Sequence, residues 1–116
     1  MHSTLHRVDT TQLLKGVLDL AVLAVLRDND GYGYDILRRL RAGGLQEVGD
    51  ASVYGTLRRL FNAGLLNTYV VPSDEGPHRK YYSLNAAGRA ELQRNGKIWQ
   101  GFATTMDDLL RERGAA

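Results

Sequence analysis

The sequence predicts a mostly helical α+β domain in which three helices are followed by a β-hairpin and one long last helix. Three observations carry that prediction. Apolar residues recur at three- and four-residue spacing in four segments separated by Gly, Asn and Asp. Residues 67–71 and 78–84, NTYVV and HRKYYSL, are rich in tyrosine and β-branched residues and flank a turn that holds both prolines. A chain of 116 residues, 43% hydrophobic and 24% charged, fits one globular domain.

Residues 1–9, MHSTLHRVD, show no sustained period and read as a loose arm; His2 and His6 have helical spacing but no third ligand, so no metal site is assigned. From Thr10 a helix is expected. Leu13, Val17, Leu20 and Ala24 form one stripe and Leu14, Leu18, Ala21 and Val25 the next, an arc wide enough to be buried by its own core on one side and a second subunit on the other. Asp28, Asn29, Asp30 and Gly31 stop that helix.

GYGYDILRRLRAGGL opens a second helix, with Ile36, Leu37 and Leu40 inward and Arg38, Arg39 and Arg41 pointing elsewhere, closed by Gly43 and Gly44. In VGDASVYGTLRRLFNAGLL, Asp50 or Ser52 is placed to cap a third helix and Gly64 to end it in a left-handed turn. The hairpin follows, then Asn85 as the cap of a last helix running to about Arg113. On that helix Leu92, Asn95, Trp99, Phe102, Met106 and Leu109 alternate spacings of three and four, a short heptad-like seam for self-association. Gly96 and Gly101 each cost about 1 kcal/mol inside a helix, so the helix needs packing partners.

Without cysteine the chain has neither disulfides nor thiolate metal sites, which fits a reducing cytosol. The apolar run Val17–Leu26 contains Asp19 and is too short to span a bilayer, so a cytoplasmic protein with no membrane partner is expected. A net charge of +2 leans weakly toward a polyanion. Asp107 and Asp108 diverge by about 100° on a helix, and His78 has no evident partner, so no catalytic residues are assigned and the chain is not expected to be an enzyme.

Two helices joined by a short glycine-containing connector and followed by a hairpin make a winged helix-turn-helix. On the third helix Val53, Leu57 and Leu60 cluster on one side, and Gly55, Arg58, Arg59 and Asn62 lie opposite with Ser52 and Tyr54 at the flanks. Arginine and amide groups fork onto base edges or phosphates, and Ser52 at the helix start is placed to donate to a phosphate. Gly76 and Pro77 stiffen the turn, and Arg79 and Lys80 are read as the basic tip of the wing. Tyr82 shares a face with Leu84 and is assigned to the core; Tyr81 is assigned as a hydrogen-bond donor to DNA. Asp74 and Glu75 oppose phosphate binding and are expected to point away.

With LLKGVLDLAVLAVL in the first helix, GYGYDIL opening the second, SVYGTLRRLFNAGLL in the third and GPHRKYYSLNAAG across the wing, the chain resembles PadR-type transcriptional regulators over roughly residues 12–90. The resemblance implies a homodimeric winged-helix repressor of double-stranded DNA, of the short-tailed branch with a single C-terminal dimerisation helix. It implies Ser52, Tyr54, Arg58 and Arg59 as DNA-reading positions, with Arg79 and Lys80 in the wing. Gly55 departs from the proline that the family often carries after the tyrosine, which implies a freer start of the recognition helix or a closer backbone approach to DNA.

The expected organisation is an arm over 1–9, a winged helix-turn-helix DNA-binding domain over 10–84 and a dimerisation helix over 85–116. The dimer contact is expected from Leu14, Leu18, Leu92, Trp99, Phe102, Met106 and Leu109, and the operator is expected to be an inverted repeat. Trp99 and Phe102, near the middle of the seam, are the candidate platform for a planar hydrophobic or phenolic effector, the compounds to which the resemblance implies a response. No cofactor is expected. The competing reading is a winged-helix module that binds another protein and no DNA.

Overall fold

The computed structural model describes residues 13–14 and 16–112. Its elements in chain order are α1 (Leu18–Asp28), β1 (Gly31–Tyr32), α2 (Gly33–Ala42), α3 (Asp50–Asn62), β2 (Leu66–Val71), β3 (Arg79–Leu84) and α4 (Ala86–Leu110). This is the winged helix-turn-helix order. The arm over 1–9, with His2 and His6, lies outside the described residues, and the last helix, expected to run to about Arg113, ends at Leu110 with Arg111 as its C-cap.

The helix expected from Thr10 is not continuous: Leu13 and Leu14 are helical, but Gly16 and Val17 are not. There the chain makes turns, with Gly16 N–H donating to the Leu13 carbonyl at 3.3 Å and Val17 N–H to Leu14 at 3.1 Å, and α1 begins at Leu18. After proline, glycine is the residue least suited to carry a helix through that point. From Leu18 onward, Leu18, Val22, Leu23 and Leu26 are buried. They meet Ile36, Leu37 and Leu40 from α2, Val53, Leu57 and Leu60 from α3, and Leu66 and Leu84 from the hairpin in a single core. Side chains of this size are each worth about 1.5 to 3 kcal/mol when buried, so this cluster holds the three helices and the wing together.

The arginines of α2 do not simply solvate an outer face. Arg39 is half-buried, and its Nη1 donates to the carbonyls of Val25 at 3.0 Å and Asn29 at 3.1 Å. It thus satisfies carbonyls at the end of α1 that have no partner within the helix. Arg41 reaches across the connector to the Val48 carbonyl through Nε at 3.1 Å and Nη2 at 2.9 Å. Only Arg38 is free to stay at the surface, paired with Asp35 at 3.0 Å.

Neither Asp50 nor Ser52 caps α3. Gly49 is the N-cap, so Asp50 already lies in the first turn, where its charge suits the helix dipole and faces Arg41 at 3.7 Å. The expected close of the helix is found: Gly64 has φ +81°, the left-handed conformation that glycine tolerates. Asn85 caps α4 as expected, its side-chain oxygen accepting from Gly88 N–H at 2.8 Å.

The hairpin pairs Leu66 with Leu84 and continues in register to Val71 with Arg79. A third strand that the sequence pattern did not reveal, β1, adds Gly31 opposite Tyr82 and Tyr32 opposite Tyr81, giving sheet order β1-β3-β2. The wing is therefore anchored to the start of α2 as well as to the end of α3.

Candidate nucleic-acid interface

Helix α3 buries Val53, Thr56, Leu57 and Leu60 and exposes Ser52, Tyr54, Arg58, Arg59, Phe61 and Asn62. The exposed side divides in two. Toward the wing, Tyr54, Arg58 and Phe61 line a cleft of about 260 Å³ together with Lys80 and Tyr82. Toward α1, Ser52, Gly55 and Arg59 line a larger depression of about 580 Å³ with Leu14, Leu18 and Asp19. Arg59 forms an ion pair with Asp19 there. The two adjacent arginines expected to act together thus face different neighbours, because consecutive helix positions diverge by about 100°.

The place of Tyr54 is set by an absence. A Cβ on Gly33, the first residue of α2, would overlap the Tyr54 ring, so the glycine lets that ring lie against the helix start.

In the wing, Arg79 and Lys80 are not at the tip. They open β3, behind a loop over 72–78 that contains Asp74, Glu75 and His78, and strand alternation sends them to opposite faces. Arg79 stands 4.6 Å over the Tyr32 ring. On that same face Tyr81 packs between Tyr32 and Tyr69, each ring centroid 5.5 Å away. Within this group the Tyr69 phenol donates to Asp30 Oδ2 at 2.7 Å. That bond, helped by slight burial and the carboxylate's charge, raises the Tyr69 phenol above the ordinary tyrosine range. On the other face Lys80 lies 6.0 Å from the Phe61 ring centroid and 5.8 Å from that of Tyr82, and Tyr82 is half-buried against the core as expected.

Charge pairing separates the cations into two sets. Arg27, Arg38, Arg39, Arg41, Arg59, Arg94 and Arg111 each have an acidic partner. Among the described residues Arg58, Arg79, Lys80, Arg89 and Lys97 have none, and two of these, Arg58 and Lys80, line the one cleft between α3 and the wing. An unneutralised pair between the second helix of a helix-turn-helix and the hairpin after it gives that face a local positive charge suited to an anion.

In comparison with known proteins, residues 22–94 match the model of the Transcriptional regulator PadR-like family. The chain belongs to that family. It is similar to a PadR-like transcriptional regulator from Bacillus cereus, at 31% identity and a TM-score of 0.78 over 88% of this chain and 99% of that one. A PadR family transcriptional regulator from Eggerthella lenta aligns at 27% identity and a TM-score of 0.79, covering 89% of each chain. An uncharacterised protein of Lysinibacillus sphaericus is 28% identical over 84% of this chain and 91% of its own length.

A second surface of this PadR-like chain lies along α4. Leu14 and Leu18, expected at a subunit contact, are 6% and 7% exposed within the chain's own core, and Leu92 packs on that core too. The outward residue near α1 is Leu13, at 67%. Farther along α4 the expected seam is uncovered: Trp99, Phe102 and Leu109 are exposed, joined by Ile98 and Leu110, which the heptad reading passed over, while Met106 is half-buried. Trp99 and Phe102 lie one turn apart with centroids 6.1 Å from each other and planes tilted by 42°. Among the described residues no helix is long and apolar enough to cross a membrane.

Proposed function

We propose that this PadR-like chain is a cytoplasmic, homodimeric, sequence-specific DNA-binding transcriptional repressor, released from its operator by a planar hydrophobic or phenolic compound, and requiring no metal or cofactor. The observation that carries the DNA-binding part is the convergence of Arg58 and Lys80, without acidic partners among the described residues, between the exposed face of α3 and the wing. In this reading α3 enters the major groove, Ser52 and Tyr54 approach the sugar-phosphate edge, and Arg58 and Asn62 face the duplex. Arg79 and Tyr81 belong to the outer wing face, where Arg79 reaches a flanking phosphate.

The apolar stripe of α4 supports the dimer. An exposed Trp, Phe, Ile and two Leu on one helix form a patch that soluble monomers rarely leave in water. A two-fold axis through that stripe sets two recognition helices about 34 Å apart, so the operator is an inverted repeat with half-sites one turn apart. A compound wedged beside Trp99 and its copy alters the crossing of the two α4 helices, and so the spacing of the two α3 helices.

The test is a titration of the purified protein against the DNA upstream of its own gene at two salt concentrations. Binding that weakens steeply with salt is expected. A folded protein that binds no duplex at low salt but captures a protein partner overturns the proposal in favour of an interaction module.

A further inference from the structure

The lining of the cleft between α3 and the wing is unusual in what it lacks. Arg58 presents five N–H donors and no acceptor, Lys80 three donors and no acceptor, and the remaining polar groups are the phenols of Tyr54 and Tyr82. No carboxylate, amide or imidazole lines it. The edges of adenine and cytosine carry donors that would find only phenol oxygens here, and the acceptor edge of guanine would satisfy Arg58 but set a neutral group between two positive charges. A phosphodiester offers acceptors alone and one negative charge. The two cations in a space of about 260 Å³ repel each other when it is empty, and an anion between them removes that repulsion.

Resting on the proposed DNA-binding function, we propose that this cleft seats one backbone phosphate of the duplex, clamped jointly by Arg58 from α3 and Lys80 from β3, with the Tyr54 phenol donating at its rim. The aromatic rings of Phe61 and Tyr82 beside the Lys80 ammonium hold that charge toward the cleft. Arg58 is in this account a phosphate clamp and carries no sequence information. The clamp fixes the wing and the recognition helix to the same point of the backbone, which sets how deeply α3 enters the groove.

The experiment scans a short duplex, recovered by the protein from a random-sequence pool, with a neutral methylphosphonate at each position in turn. Affinities are measured for the parent, for Arg58→Met, for Lys80→Met and for the double variant, with melting temperature and oligomeric state confirming that all are folded. One position per half-site is expected at which neutralisation weakens the parent roughly tenfold and leaves the double variant unchanged. The fold-losses of the two single variants are expected to combine to less than their product, because both act on one group. If every position sensitive in the parent stays equally sensitive in the double variant, or the single losses multiply, the shared seat is overturned while DNA binding stands. Recovery of no duplex at all overturns the seat together with the function on which it rests.

Discussion

The ring of Tyr54 fills the space that a Cβ on Gly33 would need, so the start of α2 and the exposed side of α3 fit together only because residue 33 has no side chain. The Gly33 backbone is not left-handed, so alanine is permitted there on conformational grounds and the ring is the nearest obstacle. Gly33→Ala is expected to push Tyr54 out of the cleft rim, lowering stability by about 1 to 2 kcal/mol and weakening DNA binding several-fold. In a Tyr54→Ala background the same change is expected to cost nothing, and to stabilise slightly through reduced chain entropy. A double-mutant cycle of melting and DNA affinity reads both numbers; additive losses would show that Gly33 acts elsewhere.

Arg58 and Arg59 are expected to behave differently on substitution. Arg59 has Asp19 for a partner and stands 3.5 Å from Thr56 Oγ1, whereas Arg58 has no acidic partner among the described residues. Arg58→Ala should lower the salt slope of binding by about one unit, and Arg59→Ala should change it less. Asp19→Asn releases Arg59 toward the duplex and is expected to strengthen non-specific binding. Because the Arg59 and Asp19 side chains are 60% and 52% exposed, the loss of their pair should change stability by less than about 1 kcal/mol. Equal salt slopes for the two alanine variants would remove the distinction.

How much of this was legible in the sequence follows the range of the interactions involved. The periods of α2 and α3 and the Asn85 and Gly64 signals act within one turn of chain, and they were found where expected. Strand β1 was hidden because GYGYD reads as a helix opening, and only pairing with Tyr81, far along the chain, makes Gly31 and Tyr32 a strand. Arg39 looked like a surface residue because its partners are carbonyls of another helix. The wheel of α3 grouped Arg58 with Arg59 because it did not contain the neighbours, α1 on one side and the wing on the other, that divide them.

The Tyr69 phenol gives a pH signature. Its bond to Asp30 stabilises the protonated form, so the contribution is fully present below the ordinary tyrosine pKa of about 10 and is lost as pH rises through the higher value of the folded state. Absorbance titration should show the Tyr69 phenol ionising later than an ordinary tyrosine in the parent, and earlier than that in Asp30→Asn. Tyr69→Phe should flatten the alkaline fall in melting temperature. A parent with no late-titrating tyrosine would contradict the wing geometry.

Phe102→Asp and Leu109→Asp place charges on the uncovered stripe of α4, at residues 56% and 70% exposed in the single chain. Neither should unfold the domain, because neither belongs to its core. Each is expected to turn a dimer at micromolar concentration into a monomer by light scattering, and to lower affinity for an inverted repeat far more than for a single half-site. Unchanged mass in both variants would move the contact to another surface.

Trp99 supplies the reporter for the proposed effector. It is the only tryptophan in the chain, 43% exposed, and forms with Phe102 a tilted aromatic pair on the stripe where a second copy would lie. In the proposed dimer each ring would meet or neighbour its own copy, and two such pairs would leave a slot for a flat apolar molecule to stack in. Titration with planar phenolic compounds is expected to quench or shift Trp99 fluorescence, with release of operator DNA over the same concentration range. Binding must be reciprocal, so an inducer that weakens DNA binding by some factor binds the DNA-loaded dimer more weakly by that same factor. A folded, dimeric Trp99→Ala variant should keep its DNA affinity and lose the response. An inducer that releases DNA equally well from parent and variant would locate the sensor away from this pair.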